Sequence, residues 1–478
     1  VVKVSKKIVV EPVTRIEGHG KVTIYLDKEG KVDRAQFHGL EFRGFEKFCE
    51  GRMVWEMPVI TTRICGTCPV SHHLASVKAC EDLFSVKPPP AAEALRELMH
   101  MGQFIHNAAL HFYFFSAPDL LFGYDASVVK RNIVGIVKEK PELAKKAIKL
   151  RRIGQEIIEK VGGRSIHPVT AIPGGMTKPL SHKDRYILIN QVKEAWELAT
   201  LALEVGKDLL LNRSKDLLSD AASQKTKFMG LVNQGALDLY RGEIRLVEET
   251  GKVIEEFPAT SYLDYITEKI MDDSYLKLPY YKKAGWPQGI YRVGPLARVN
   301  VADKITTPQA QEELIEFKKI GNGKPVQKPL YYHYARLIEL IYAVERAKEL
   351  LGDDLIVSED VRVPIKRGAD VFEFQGGQDE LEGVGVVEAP RGVLIHHYWA
   401  DQVGKLTRVN LIVATVHNNA GINQSVAEVA KEHVRNGQVN EGALNRIEVV
   451  IRAYDPCISC STHSIEVKGA SIGRTEGR

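Results

Sequence analysis

Four of the six cysteines stand in two CxxC pairs, Cys65-Gly66-Thr67-Cys68 and Cys457-Ile458-Ser459-Cys460. Thiolate sulfur is a soft donor that selects nickel, iron, copper or zinc over magnesium or calcium. The first pair precedes a helical run at 71–84 whose start is marked by Pro69 and Ser71. A helix N-terminus and the neighbouring Arg63 both favour thiolate over thiol. The second pair sits on a turn after the strand-like Ile447-Glu448-Val449-Val450-Ile451. Either pair alone is compatible with half a zinc site, a redox dithiol or two ordinary buried thiols. Their separation of 392 positions counts against a small zinc module, whose pairs lie within a few tens of residues. A thioredoxin-like dithiol would follow the first strand of a βαβ unit, and the helices after Cys68 do not alternate with strands. Two distant pairs meeting in a large core suggest instead one deep site with four thiolates. Cys49 and Cys80 read as small buried thiols.

Positioning such a site falls to the elements around it. Residues 8–40 read as strands, with a turn at Asp27-Lys28-Glu29-Gly30-Lys31. From about 70 to 350 helical periods dominate, at 71–84, 92–115, 142–160, 184–215 and 330–351. The last third mixes short strands, at 384–388, 393–399 and 446–453, with a helix near 424–436. The expected fold class is mainly α with small β regions: an N-terminal β unit over 1–60, a long-helix bundle over 61–350 and a mixed α/β part over 351–478, together one large unit. Lys+Arg (65) nearly balances Asp+Glu (61), and no block of like charge suggests nucleic-acid binding. No apolar run approaches the roughly 20 residues that span a bilayer and no N-terminal h-region is visible, so no membrane span and a cytoplasmic location are expected. Six cysteines are too few for a disulfide framework in 478 residues. No GxGxxG follows a strand and no further Cys-rich motif is present, so neither a flavin or nicotinamide site nor an iron-sulfur cluster is expected in this chain.

Arg63-x-Cys65-x-x-Cys68 with His72, and Asp455-Pro456-Cys457-x-x-Cys460-x-x-His463, resemble the paired signatures of nickel-iron hydrogenase large subunits. Arg15-Ile16-Glu17-Gly18-His19, Arg43-Gly44-Phe45-Glu46 and Glu388-Ala389-Pro390-Arg391-Gly392 resemble further segments of that family, in family order. The resemblance implies the large-subunit fold, with Cys65 and Cys457 as terminal thiolates on nickel, and Cys68 and Cys460 bridging nickel and an iron that carries carbon monoxide and cyanide. It implies heterolytic cleavage of dihydrogen, with a proton accepted at Cys457 and carried away by Glu17, a role that needs a partly desolvated carboxyl of raised pKa. The ordinary alternative for Glu17 is a salt bridge with Arg15 or a neighbour. Arg391 resembles the arginine set above the metals, with Asp119, Pro390 and Asp455 completing a canopy and Thr415 donating to a cyanide. His72 would hydrogen-bond a bridging thiolate. Glu46, the carbonyl of Leu411 and His463 resemble ligands of a second cation, magnesium or iron, although His463 alone could be a surface histidine.

By the same resemblance the partner is a small iron-sulfur subunit. The details look most like the methanogen-type, deazaflavin-non-reducing (methyl viologen-reducing) enzymes that pass electrons through a further subunit to heterodisulfide reductase. Deazaflavin- or NAD(P)-reducing branches, a hydrogen sensor and a quinone-reductase relative are the alternatives, the last disfavoured by the presence of all four cysteines. The family usually ends after the final His, whereas residues 464–478 follow His463 here, as a retained tail or an uncleaved extension.

Overall fold

Alternation along Gly20–Leu26 buries Val22, Ile24 and Leu26, which makes this strand the centre of an antiparallel sheet flanked by Lys7–Val10 and Val32–Gly39. Asp27 closes the expected turn by accepting from the Lys31 amide at 2.8 Å. The computed structural model describes residues 7–213, 224–271, 274–364, 380–434 and 439–462.

The long helices form as their periodicity predicts at Pro69–Leu83, Pro90–Ala109, Pro141–Gly162, His182–Lys207 and Tyr331–Gly352, although the run expected over 184–215 passes into a π-helix at Asp208–Arg213 and its end, 214–215, lies outside the described residues. Three begin with Pro, whose missing amide costs nothing in a first turn, and Ser181 caps another by accepting from the Asp184 amide at 3.0 Å. The helix expected over 92–115 is not uniform. After Ala109 the bulky run Leu110–Ser116 winds as a π-helix before α-geometry resumes at Ala117–Phe122. That local widening presents the Phe115 carbonyl to Arg15 (2.6 Å) and lets the His111 ring donate to the Arg452 carbonyl (2.7 Å).

Two expectations need correction. The stretch 446–453 is part of a helix, Glu441–Tyr454, capped by Asn440 and stitched by the Glu448–Arg452 pair one turn apart. Inside the expected bundle lies a five-stranded sheet, with Lys227–Asn233 between Tyr291–Arg292 and Glu243–Val247, Val253–Phe257 at the far edge, and Ala236–Leu237 paired to Lys227–Asn233. The helix expected near 424–436 runs from Ala414 to His433.

Toward the C-terminus Leu381–Ala389, Gly392–Ala400 and Leu406–Ile412 form an antiparallel sheet in sequence order. The helix Pro69–Leu83 lies directly on it, because Gly383 and Gly385 offer no side chain: a Cβ at Gly385 would stand 2.0 Å from the Ala75 carbonyl. One contiguous apolar core runs from Val13 to Cys460, so both cysteine pairs share an interior. Among the described residues no helix is long and apolar enough to cross a membrane.

Candidate metal centre

Cys65 is extended, at the end of the short turn Thr61–Ile64, and Cys68 caps the helix Pro69–Leu83. At the other end of the chain, Asp455 adopts a left-handed conformation (φ 55°) that stops the helix Glu441–Tyr454, and Cys457 then caps the single turn Ile458–Ser461. Two backbone hydrogen bonds and one arginine bring these loops together. The Ile458 amide donates to the Glu17 carbonyl at 3.1 Å, the Gly44 amide donates to the Thr462 carbonyl at 3.2 Å, and the Arg43 guanidinium spans the carbonyls of Arg63 and Ser459, both at 3.3 Å. Cys65 and Cys457 sulfurs are 3.3 Å apart, Cys68 and Cys460 3.2 Å, and Cys457 and Cys460 2.8 Å. All four sulfurs lie within 4.8 Å of one another and are buried, the one such potential metal-binding group among the described residues.

Burial opposes charge here, yet the three neighbouring thiols and Arg391 pull Cys65 well below the ordinary thiol range. Burial pushes Cys457 and Cys460 well above it. Four close thiols that cannot all ionise by themselves are what a bound cation relieves, and the all-sulfur donor set fits nickel and iron. The cation that helps is Arg391; Arg63, credited above, is exposed and contributes its carbonyl.

Around the sulfurs, Glu17 Oε2 accepts from the Cys457 thiol at 3.0 Å and from the Ser459 amide at 3.2 Å, while the Ser459 hydroxyl donates to Oε1. Burial raises the Glu17 carboxyl, the charge on Cys65 adds to this, and the hydrogen bonds from Cys457 and Ser459 oppose it. Arg15 makes no pair with Glu17; it binds Asp119 at 2.5 Å. Thr415 Oγ1 accepts the Cys457 amide at 2.9 Å. Arg391, fully buried, donates to the Asp455 carbonyl (2.6 Å) and carboxylate (3.0 Å) and approaches Thr67 Oγ1 at 3.4 Å, which in turn is 3.0 Å from Cys65 Sγ. The Pro390 carbonyl accepts from Arg298 at 3.0 Å, fixing the bend that aims Arg391. Asn107 supports Asp455 at 3.3 Å. Asp119 collects three guanidiniums, Arg15, Arg131 and Arg452. His72 Nε2 lies 3.4 Å from Cys460 Sγ. Glu46 Oε1 accepts the Leu411 amide at 2.9 Å, with Lys277 Nζ 3.6 Å from Oε2. His463 and the tail 464–478 lie outside the described residues.

The nickel-dependent hydrogenase family profile matches residues 43–130 and 242–463, and a HoxL-like profile matches residues 7–42. The chain belongs to the nickel-dependent hydrogenases. Within that family it is 46% identical to the vhc F420-non-reducing hydrogenase subunit from Methanococcus voltae, over 98% of both chains. It is 39% identical to the NAD-reducing hydrogenase HoxS subunit beta of Cupriavidus necator, over 96% of this chain and 95% of that one. Its fold superposes on the crystal structure of an NAD+-reducing [NiFe]-hydrogenase in the H2-reduced state with a TM-score of 0.90 at 42% identity, covering 96% of this chain and all of the other. The fold is therefore the nickel-iron hydrogenase large-subunit fold, mainly helical with small sheets.

Several residues of this hydrogenase site went unremarked in the sequence. Thr67 and Ser459 each stand between the cysteines of a CxxC pair, and only their neighbours' roles point to them. Cys49 and Cys80 are buried free thiols, as read, with the Cys80 thiol donating to the Val54 carbonyl at 3.3 Å.

Proposed function

We propose that this chain is the catalytic subunit of a nickel-iron hydrogenase that cleaves dihydrogen heterolytically and reversibly. The observation that carries the reading is the four-sulfur cluster with Glu17 on Cys457 and Arg391 beside Thr67 and Cys65. Cys65, Cys68, Cys457 and Cys460 would hold the metals, Cys65 and Cys457 on nickel and the other two bridging to iron. When bound, a nickel-iron pair with carbon monoxide and cyanide on iron supplies the redox centre. The protein's own residues do the rest. Arg391, a fixed cation in a dry pocket, orients and polarises small ligands there. Thr415 and Asp455 hold the Cys457 and Arg391 backbones and side chains in register. Cys457 Sγ passes a proton to Glu17 Oε2, whose burial-raised pKa suits a carboxyl that must both take and release it. Asp119 ties together the three arginines behind this path and, with Glu448 on Arg452, offsets part of their charge. Glu46, Leu411 and His463 would carry a second cation, magnesium or iron, beside Lys277.

Electrons would leave to a small iron-sulfur subunit, then pass through an electron-transfer subunit to heterodisulfide reductase. The near-complete overlap with an F420-non-reducing hydrogenase subunit supports this branch. The TM-score of 0.90 to an NAD+-reducing enzyme keeps a second reading open, NAD(P) reduction through a flavin subunit. Infrared spectra of the purified complex test the metal centre: bands of metal-bound carbon monoxide and cyanide that shift under dihydrogen are expected, and a nickel-loaded sample without them refutes it. Dihydrogen-driven reduction of NAD+ by the purified complex would favour the second branch.

A further inference from the structure

Behind the bridging sulfur of Cys460 runs a line of buried polar groups that the proposed chemistry does not use. Residues four apart on a helix share a face, as do residues two apart on a strand. Pro69–Leu83 therefore turns His72 and Ser76 toward Gly392–Ala400, which turns His396 and Tyr398 back toward them. The four interleave. His72 Nε2 is 3.4 Å from Cys460 Sγ, His72 Nδ1 is 3.1 Å from His396 Nε2, His396 Nδ1 is 2.7 Å from the Tyr398 hydroxyl, and that hydroxyl is 2.9 Å from Ser76 Oγ. None of the four side chains belongs to a residue more than 1% exposed.

Each neutral imidazole has one N–H and one lone pair, and each hydroxyl has one proton, so the direction of every bond in such a line fixes the next. A metal-bound thiolate has no proton and can only accept. His72 must then carry its hydrogen on Nε2, leaving Nδ1 to accept from His396 Nε2–H. His396 Nδ1 must accept from the Tyr398 hydroxyl, whose one proton has two acceptors within reach, this ring nitrogen at 2.7 Å and Ser76 Oγ at 2.9 Å. A line of the opposite polarity would aim a nitrogen lone pair at the sulfur. We propose that His396 and Tyr398 are positioning residues for the metal centre, holding His72 in the tautomer that donates to the bridging sulfur of Cys460 and so drawing electron density from it.

This inference rests on the nickel-iron reading above, and its test separates the two. An N–H on the sulfur weakens back-donation to carbon monoxide, so losing it lowers the carbon monoxide stretch. Infrared bands and nickel content are measured on purified complexes of the native chain, Tyr398→Phe, His396→Gln and the double variant. The Gln amide offers a permanent N–H near the position of the imidazole Nε2 and needs no tyrosine to orient it. Tyr398→Phe should shift the carbon monoxide band downward, whereas His396→Gln and the double variant should keep the native position. Should Tyr398→Phe lose nickel and the double variant retain it, the same conclusion holds. A native band in nickel-loaded Tyr398→Phe, or an equal shift or equal nickel loss in the double variant, overturns the proposal. Absence of carbon monoxide bands from the native enzyme overturns the nickel-iron reading instead.

Discussion

Replacing Glu17 by Gln isolates the proton-carrying role of one carboxyl from its shape. The side chains are nearly isosteric: an amide oxygen at the Oε1 position keeps the Ser459 hydroxyl, while the amide nitrogen takes the Oε2 position 3.0 Å from Cys457 Sγ and gives up the Ser459 amide donor at 3.2 Å. Burial already raises the Glu17 carboxyl, so a permanently neutral group is tolerated there, and the lost acceptor of the Ser459 amide should cost about 1–3 kcal/mol of folding stability. What Gln cannot do is accept a proton from the sulfur and release it. A positioned acid–base group is worth about 10²–10⁴ in rate, or about 3–5 kcal/mol of barrier. Dihydrogen-driven dye reduction and deuterium–proton exchange should therefore both fall by about two to four orders of magnitude, with nickel content and infrared bands unchanged. Turnover within a few-fold of native in a nickel-loaded Glu17→Gln enzyme refutes the assignment, and loss of nickel in that variant would move Glu17 from proton transfer to assembly.

Cys457→Ser exchanges a soft thiolate for a hard hydroxyl in the four-sulfur cluster, and should abolish turnover and deplete nickel in elemental analysis. Thr415→Val deletes the acceptor of the buried Cys457 amide and should cost about 1–3 kcal/mol in urea unfolding, a loss absent if a water replaces the hydroxyl. Burial lowers His73 and His100 to about 4, against about 6.5 in an unfolded chain. His73 can donate from Nδ1 to the Pro58 carbonyl while accepting the Ala171 amide at Nε2, an arrangement open only to the neutral ring. The unfolded chain binds protons that the folded chain refuses, so stability is full above about pH 6.5 and declines as pH falls toward 4, by up to about 3 kcal/mol per ring. Equal urea midpoints at pH 7.5 and 5 contradict this.

The ligand loops were legible because cysteine, proline and glycine carry their meaning in type and spacing, and the long helices because their apolar periods are sustained. Ile447-Glu448-Val449-Val450-Ile451 misled because β-branched residues buried on several sides of a helix imitate a strand; the informative signals were Asn440 as a cap and the Glu448–Arg452 spacing. The strands between 227 and 292 fell in a stretch of the expected bundle with no helix assigned to it, because each is short and becomes recognisable only through its pairing partner. The partners of His72 were out of reach for another reason. A histidine and a tyrosine on an apolar strand look like packing, and only the crossing of that strand over Pro69–Leu83 joins them to the cysteines. Glu46 and Leu411 do meet, through the Leu411 amide.

Residue 17 touches residue 457, and cysteines 392 positions apart touch each other. During synthesis the first pair of sulfurs is therefore exposed long before the second exists, and the pocket that shelters them closes only once nearly the whole chain has been made and folded. Metals gripped by all four sulfurs would act as a clasp on that 392-residue span, worth about 6 kcal/mol by the entropy of an equivalent cross-link. A shortened product that stops before Cys457 can offer two sulfurs but no clasp, so correct loading doubles as a check that the polypeptide is whole.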